Sequence, residues 1–324
     1  MIELQSVWGW EPALYLFLGG LGAGTFVVSA IIYLLEKVHR KACAVGMWTA
    51  AACLCVGLGL LLMDVEKPFS ALLMWRSFGN VGASWMAIGA WILFAAVIVF
   101  VLCAIMLTDR ISGKIAVEKR KMWANILAGI GIVLGLGVAA YTGILLKSAP
   151  GVPFWNTGIL PLLFTVSAMD TGVALVAIIF AIMEPATAKV TRRNLEICAV
   201  VLILVETAVL IWFLKTMQAG GPLGAWDTMN AGYAATAVAG VGTLLQGKLS
   251  FAFWALVVVL GLAVPFLVAI FEIATAKGEN AKGGRLVAII GSACALVGGC
   301  ALRFVVLLAG AHADIVVDTI ANLL

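Results

Sequence analysis

Residues 82–107 read GASWMAIGAWILFAAVIVFVLCAIML, a stretch with no acid, no base and no proline. The hydrocarbon core of a bilayer is about 30 Å thick, so a crossing helix needs about 20 mostly apolar residues. This stretch is long enough to cross. Runs of the same kind lie at 13–35, 43–63, 123–146, 158–183, 196–217, 251–272 and 286–309, which predicts eight spans. No Lys or Arg precedes Lys37, so the first run lacks the basic flank of a cleaved signal peptide and is read as a span.

Composition leads to the same class. Of 324 residues, 64% are hydrophobic and 11% charged, and mean hydropathy is +1.15. Soluble domains run about 45–50% apolar and about 25% charged. A soluble enzyme, a nucleic-acid binder and a disordered chain are therefore excluded. The apolar runs are continuous rather than alternating, which excludes an outer-membrane barrel. The expected fold class is an all-α polytopic membrane protein in a bilayer of lipid.

Two histidines, His39 and His312, lie outside the apolar runs. Intrinsic haem needs axial ligand pairs inside the bilayer, so none is expected. The seven cysteines form no CxxC and no iron–sulfur or zinc spacing. Most sit in apolar runs, where Cys acts as a small hydrophobe. The chain is expected to hold no metal and no redox centre of its own.

Orientation follows from the basic residues. Fourteen of the twenty Lys and Arg lie in the connections after spans 1, 3, 5 and 7, five after spans 2, 4 and 6, and Arg303 lies within span 8. The positive-inside rule places the odd connections in the cytoplasm and both termini outside. It also accounts for the basic loops without a nucleic-acid partner. The outer connections are the more elaborate ones. Residues 218–250 form a long Gly- and Ala-rich connection with Trp226, Asp227 and Tyr233, and residues 64–81 and 147–157 carry aromatics and charges. A docking surface for a partner is expected there, against the plainer reading of interfacial loops anchored by Trp.

Ionisable groups at bilayer depth are costly and so are candidates for function. Asp170 and Glu206 lie near the middle of spans 5 and 6, and Arg303 lies in span 8. They form either a buried ion pair or a proton pathway. A second set gathers at the outer side. Glu11 and Tyr15 open span 1, Asp64 and Glu66 close span 2, and Tyr141 sits just inside the outer end of span 4. Phenols can hydrogen-bond a carbonyl or hydroxyl, and a carboxylate can exchange its proton. That pairing suits a quinone headgroup. The glycines at 19, 20, 22 and 24 and at 129, 131, 135 and 137 lie within spans and suit close helix packing.

These segments also carry a resemblance. Trp8-Gly-Trp10-Glu-Pro12-Ala-Leu-Tyr15 through Gly24 resembles the opening of the NrfD/PsrC family of polysulfide-reductase-type membrane subunits. Ala140-Tyr141-Thr142-Gly143 followed by Pro153-Phe-Trp-Asn156 resembles its fourth helix and the loop after it. Ile159-Leu-Pro161-Leu-Leu-Phe164 with Ser167-Ala168 and Thr171-Gly172 resembles the fifth helix, and Glu206 and Leu302-Arg303 fit the sixth and eighth.

The resemblance implies two four-helix bundles, residues 1–150 with an outer-leaflet quinone site and residues 151–324 with a possible proton pathway. It implies menaquinone or ubiquinone as bound substrate. A ferredoxin-like iron–sulfur subunit is implied on the periplasmic side, passing electrons to a molybdopterin or multihaem catalytic subunit. It places the family's fourth-helix tyrosine on Tyr141, a quinone-contacting histidine on Tyr15, an asparagine on Pro12 and an acid on Asp64 or Glu66. Pro12 has no polar side chain, so the chain departs from the pattern there. The expected function is a quinone-interacting anchor in the bacterial inner membrane, belonging to a multi-subunit respiratory oxidoreductase. This chain itself contributes no catalytic residue. The alternative is a secondary transporter or proton-conducting protein built on Asp170, Glu206 and Arg303.

Overall fold

The computed structural model describes residues 9–36, 39–64, 85–113, 116–149, 151–183, 189–221, 231–275 and 281–311. Eight helices in it are long and apolar enough to cross a membrane. They are α1 (Trp10–Glu36), α2 (Arg40–Asp64), α3 (Trp85–Leu107), α4 (Val117–Lys147), α5 (Ile159–Met183), α6 (Lys189–Gln218), α7 and α8 (Ala281–Leu308). Helix α7 is composite, a π-helix over Ala252–Ala263 continued by an α-helix over Val264–Thr275.

The helices match the expected spans, but α4 and α6 begin well before their apolar runs. Lys119–Lys121 and Arg192–Arg193 continue the helix, because long basic side chains can lay their stems along apolar surface and keep the charge in the headgroup region. An apolar run therefore marks the hydrocarbon and not the end of the helix. At this basic end a short helix, Asp109–Ser112, ties three spans together. Asp109 Oδ1 lies 2.9 Å from Arg120 Nη1 and 3.3 Å from Arg40 Nη1, while Arg40 Nη2 donates to the Met106 carbonyl at 2.9 Å.

Within the first half, α1 packs on α2 and α4, and α3 packs on α2 and α4. Within the second half, α5 packs on α6 and α8, and α7 packs on α6 and α8. Between the halves, α5 meets α1, α4 and α2, and α8 meets α1. Helices α1 and α5 are the innermost, with 72% and 67% of their central windows buried against 28–33% for α2, α3, α6 and α7.

Their sequences permit this close approach. Gly20 and Gly24 of α1 form a GxxxG pair, and Ala168 and Gly172 of α5 repeat the small-residue spacing. Such pairs let membrane helices touch backbone to backbone. A Cβ on Gly24 would collide with the Ala168 carbonyl, and one on Gly172 would collide with the Gly24 backbone.

Two segments depart from expectation. The 218–250 connection includes a helix, Ala231–Leu245, whose residues Ala234, Ala237, Val241 and Leu244 are buried along one face. Its glycine content argued for a loop, yet the spacing of the four buried residues is helical. The 147–157 segment does not display its aromatics, since Phe154 and Trp155 are fully buried. Trp155 Nε1 donates to the Val306 carbonyl at 3.0 Å, and Phe154 meets Phe213 edge-on. These two rings fasten the segment to α6 and α8 and add no aromatic surface.

Candidate functional site

Arg303 lies at the junction of α1, α5 and α8 and is fully buried. A bare guanidinium at this depth would be untenable, and its surroundings answer the charge from several sides. Nη1 donates to Ser167 Oγ at 2.6 Å and to the Gly299 carbonyl at 2.9 Å, and Nη2 donates to the Phe164 carbonyl at 3.3 Å. The Phe164 and Phe17 rings face the guanidinium carbon at 5.2 and 5.9 Å, within cation–π range. Gly20 leaves the room, since a Cβ there would sit 3.2 Å from Nη2.

Asp170 and Glu206 are both buried, and both lie within electrostatic reach of Arg303. None of the ion pairs among the described residues involves Arg303. The expected simple ion pair is therefore replaced by a bridged arrangement. Ser167, hydrogen-bonded to the guanidinium, also faces the Glu206 carboxylate. Asp170 and Glu206 share the lining of a cavity of about 10 Å³ with Val257, Gly261 and Gly298. That is close to the ~10–15 Å³ that a single water centre requires.

The cavity borders the π-helical part of α7. The wider winding ends at Val264, beside Pro265, which has no N–H to offer the preceding turn. Gly261 and Gly298 then bring α7 and α8 into backbone contact. The proline marked this span as interrupted, and the structure shows a change of winding where a break was expected.

The outer-leaflet set is placed differently. Tyr141, on α4, is 8% exposed. Its ring and hydroxyl lie directly on Gly89 of α3, where any Cβ would overlap them. Tyr15, on α1, packs against the apolar cluster that includes Tyr141, Leu16 and Leu145. Gly19, one turn from Tyr15, meets Thr142, the neighbour of Tyr141, at 3.6 Å. Both phenols therefore lie within about one 5.4 Å turn of a common level. Glu11 sits in the first turn of α1, where a carboxylate is favoured by the helix dipole. Asp64 ends α2, while its side chain and Glu66, Trp226, Asp227 and His312 lie outside the described residues.

Sequence reasoning missed Ser167 as the bridge and Gly89 as the seat of Tyr141. A hydroxyl and a glycine inside apolar runs are ordinary, and only the packing gives them roles.

An eight-helix, multi-pass membrane protein with phenols near one face and a bridged charge cluster at mid-depth defines the class. The polysulphide reductase NrfD family profile matches residues 3–313, and the chain belongs to that family. It is 32% identical to the polysulfide reductase C polypeptide of Wolinella succinogenes, with 94% of each sequence covered. It is 27% identical to protein NrfD of Escherichia coli over 94% of this chain and 95% of that one. Similarity to the selenate reductase C polypeptide of Mesobacillus selenatarsenatis is 25% and spans 54% of this chain and 48% of the relative.

Proposed function

We propose that this chain is the quinone-interacting membrane subunit of a respiratory oxidoreductase in the bacterial inner membrane. Relatives named as parts of polysulfide and selenate reductases support a place in such a complex, the former over nearly its whole length. The observation that carries the quinone site is Tyr141, a buried phenol clasped between α4 and Gly89 of α3 at the depth of Tyr15. Two phenols in an apolar setting fit a headgroup with two oxygens. A menaquinone or ubiquinone bound there would supply two-electron, two-proton chemistry. Tyr141 and Tyr15 would hold its oxygens by hydrogen bonds, and Asp64 or Glu66 would exchange protons with the outer phase. Electrons would pass to or from a ferredoxin-like iron–sulfur subunit on the periplasmic side, and so to a molybdopterin or multihaem catalytic subunit. On this reading residues 1–150 and 151–324 are two four-helix bundles with both termini outside.

The test is quinol-dependent activity of the assembled complex. A positioned proton donor or acceptor is worth about 10²–10⁴-fold, so Tyr141→Phe is expected to lower turnover by about 100-fold and Tyr15→Phe by less. Unchanged turnover in both variants would sink the assignment.

A second reading is favoured by the Asp170–Glu206 cavity, in which the second half conducts protons coupled to quinone turnover. Glu206→Gln and Asp170→Asn should then lower the protons moved per electron in liposomes. A ratio unchanged in both variants would leave these residues a structural role only.

A further inference from the structure

Helix α6 carries its polar residues along one face. Arg192, Glu196, Ala199, Ile203 and Glu206 recur at steps of three and four, so they line up from the basic end to mid-depth. Glu196 and Glu206 are ten residues apart, or about 15 Å at 1.5 Å per residue, half the hydrocarbon thickness. Three other helices present small residues to the same space, with Ala174 and Ala177 on α5, Ala269 on α7, and Ala288 and Ala295 on α8. Together they enclose a cavity of about 20 Å³, enough for a water molecule. Asp170 lines this cavity together with Glu196, and Asp170 also lines the smaller cavity shared with Glu206.

At the basic end, Glu196 adjoins Glu272 of α7 and Arg192. Arg192 Nη2 stands 3.9 Å from Glu272 Oε2. The other oxygen, Oε1, is buried without a hydrogen-bond partner, and the Glu272 side chain is 13% exposed. A buried carboxyl oxygen with no partner is costly, and a water or a proton satisfies it. Two acids from different helices thus meet over the mouth of a water-sized space that ends at Asp170.

We infer that Glu196 and Glu272 form the proton entry of the second half, linked through the larger cavity to Asp170. The proton transferred is taken from cytoplasmic water and handed on as a proton, with no bond to carbon formed or broken. The inference rests on the proton-conducting reading above and adds its cytoplasmic terminus, with Arg192 holding the pair in place.

The experiment uses the whole complex in liposomes, driven by a short-chain quinol, with protons moved per electron read from a pH dye and turnover read separately with an uncoupler present. The double variant Glu196→Gln/Glu272→Gln is expected to lower the proton ratio at least 5-fold while uncoupled turnover stays within 2-fold of the parent. Glu196→Asp/Glu272→Asp, which keeps both carboxyls, is expected to recover most of the ratio, and this separates a proton role from a folding defect. A full ratio in the double Gln variant beside a lost ratio in Asp170→Asn overturns the entry alone. A full ratio in Asp170→Asn, or a parent complex that moves no protons, overturns the pathway and the entry with it.

Discussion

Helices α1–α4 and α5–α8 cross the same bilayer but treat polarity in opposite ways. In the first set the ionisable groups stay at helix ends, as with Glu11, Asp64 and the Arg40–Asp109–Arg120 cluster. Its interior is closed by the parallel stack of Phe26 on Phe100, 3.7 Å between centroids, with Gly131 of α4 against the Phe26 ring. In the second set three ionisable residues reach mid-depth, and water-sized spaces lie beside two of them. A dry, tightly packed set suits holding a flat headgroup against phenols. A set with buried acids spaced by small residues suits moving protons. Arg303 sits where the two sets meet, against Phe17 of α1 and Ser167 of α5.

The largest effect is expected where the sets depend on each other. Removing one partner from a buried charge network costs about 3–5 kcal/mol, so Arg303→Ala should lower the melting point of the detergent-solubilised protein more than any other single change named here. Arg303→Lys should recover only part of the loss, because an ammonium lacks the planar fork that serves Ser167, Gly299 and Phe164 together. A melting point unchanged in Arg303→Ala would mean that the network is ornamental to the fold. Next comes Gly24→Ala, which places a methyl in the Ala168 carbonyl. Overpacking costs about 1–3 kcal/mol, and here backbone must move, so the upper end is expected. An unshifted melting transition would show that α1 and α5 slide freely past one another.

Much of this architecture is legible in the sequence. Span count follows from apolar length, and the mid-depth charges stand out because charge is so scarce. Other features need packing. Glu196 and Glu272 fall at the edges of their apolar runs, where an acid reads as an ordinary headgroup-level charge. Only the arrangement of α5–α8 shows that both face inward. The helix Ala231–Leu245 is hidden by glycines whose neighbours are four regularly spaced apolar residues. Gly89 is invisible as a site residue because its role lies in what it lacks. For the outer-leaflet set, sequence brings Tyr15 and Tyr141 to one leaflet, and the Gly19–Thr142 contact is what sets their level.

Smaller effects sharpen the contrast further. Trp155→Phe keeps the ring but loses the donor to the Val306 carbonyl, and a net hydrogen bond is worth about 1 kcal/mol. The smallest belongs to the basic end. Asp109→Asn removes the carboxylate from Arg120, a residue nearly as buried as Arg303. Yet the Asp109 side chain is 65% exposed, and exposed ion pairs are worth about 0.2–1 kcal/mol. Arg120 also keeps Ser112 as an acceptor, and it lies at the level where water and lipid phosphate can replace the lost charge. The melting point of Asp109→Asn should therefore fall by a fraction of the Arg303→Ala shift, and the fall should shrink as salt is raised. Equal losses at the two arginines would mean that local hydrogen bonding, and not depth in the bilayer, decides what a buried guanidinium costs. The contrast between the two helix sets would then have to be restated in those terms.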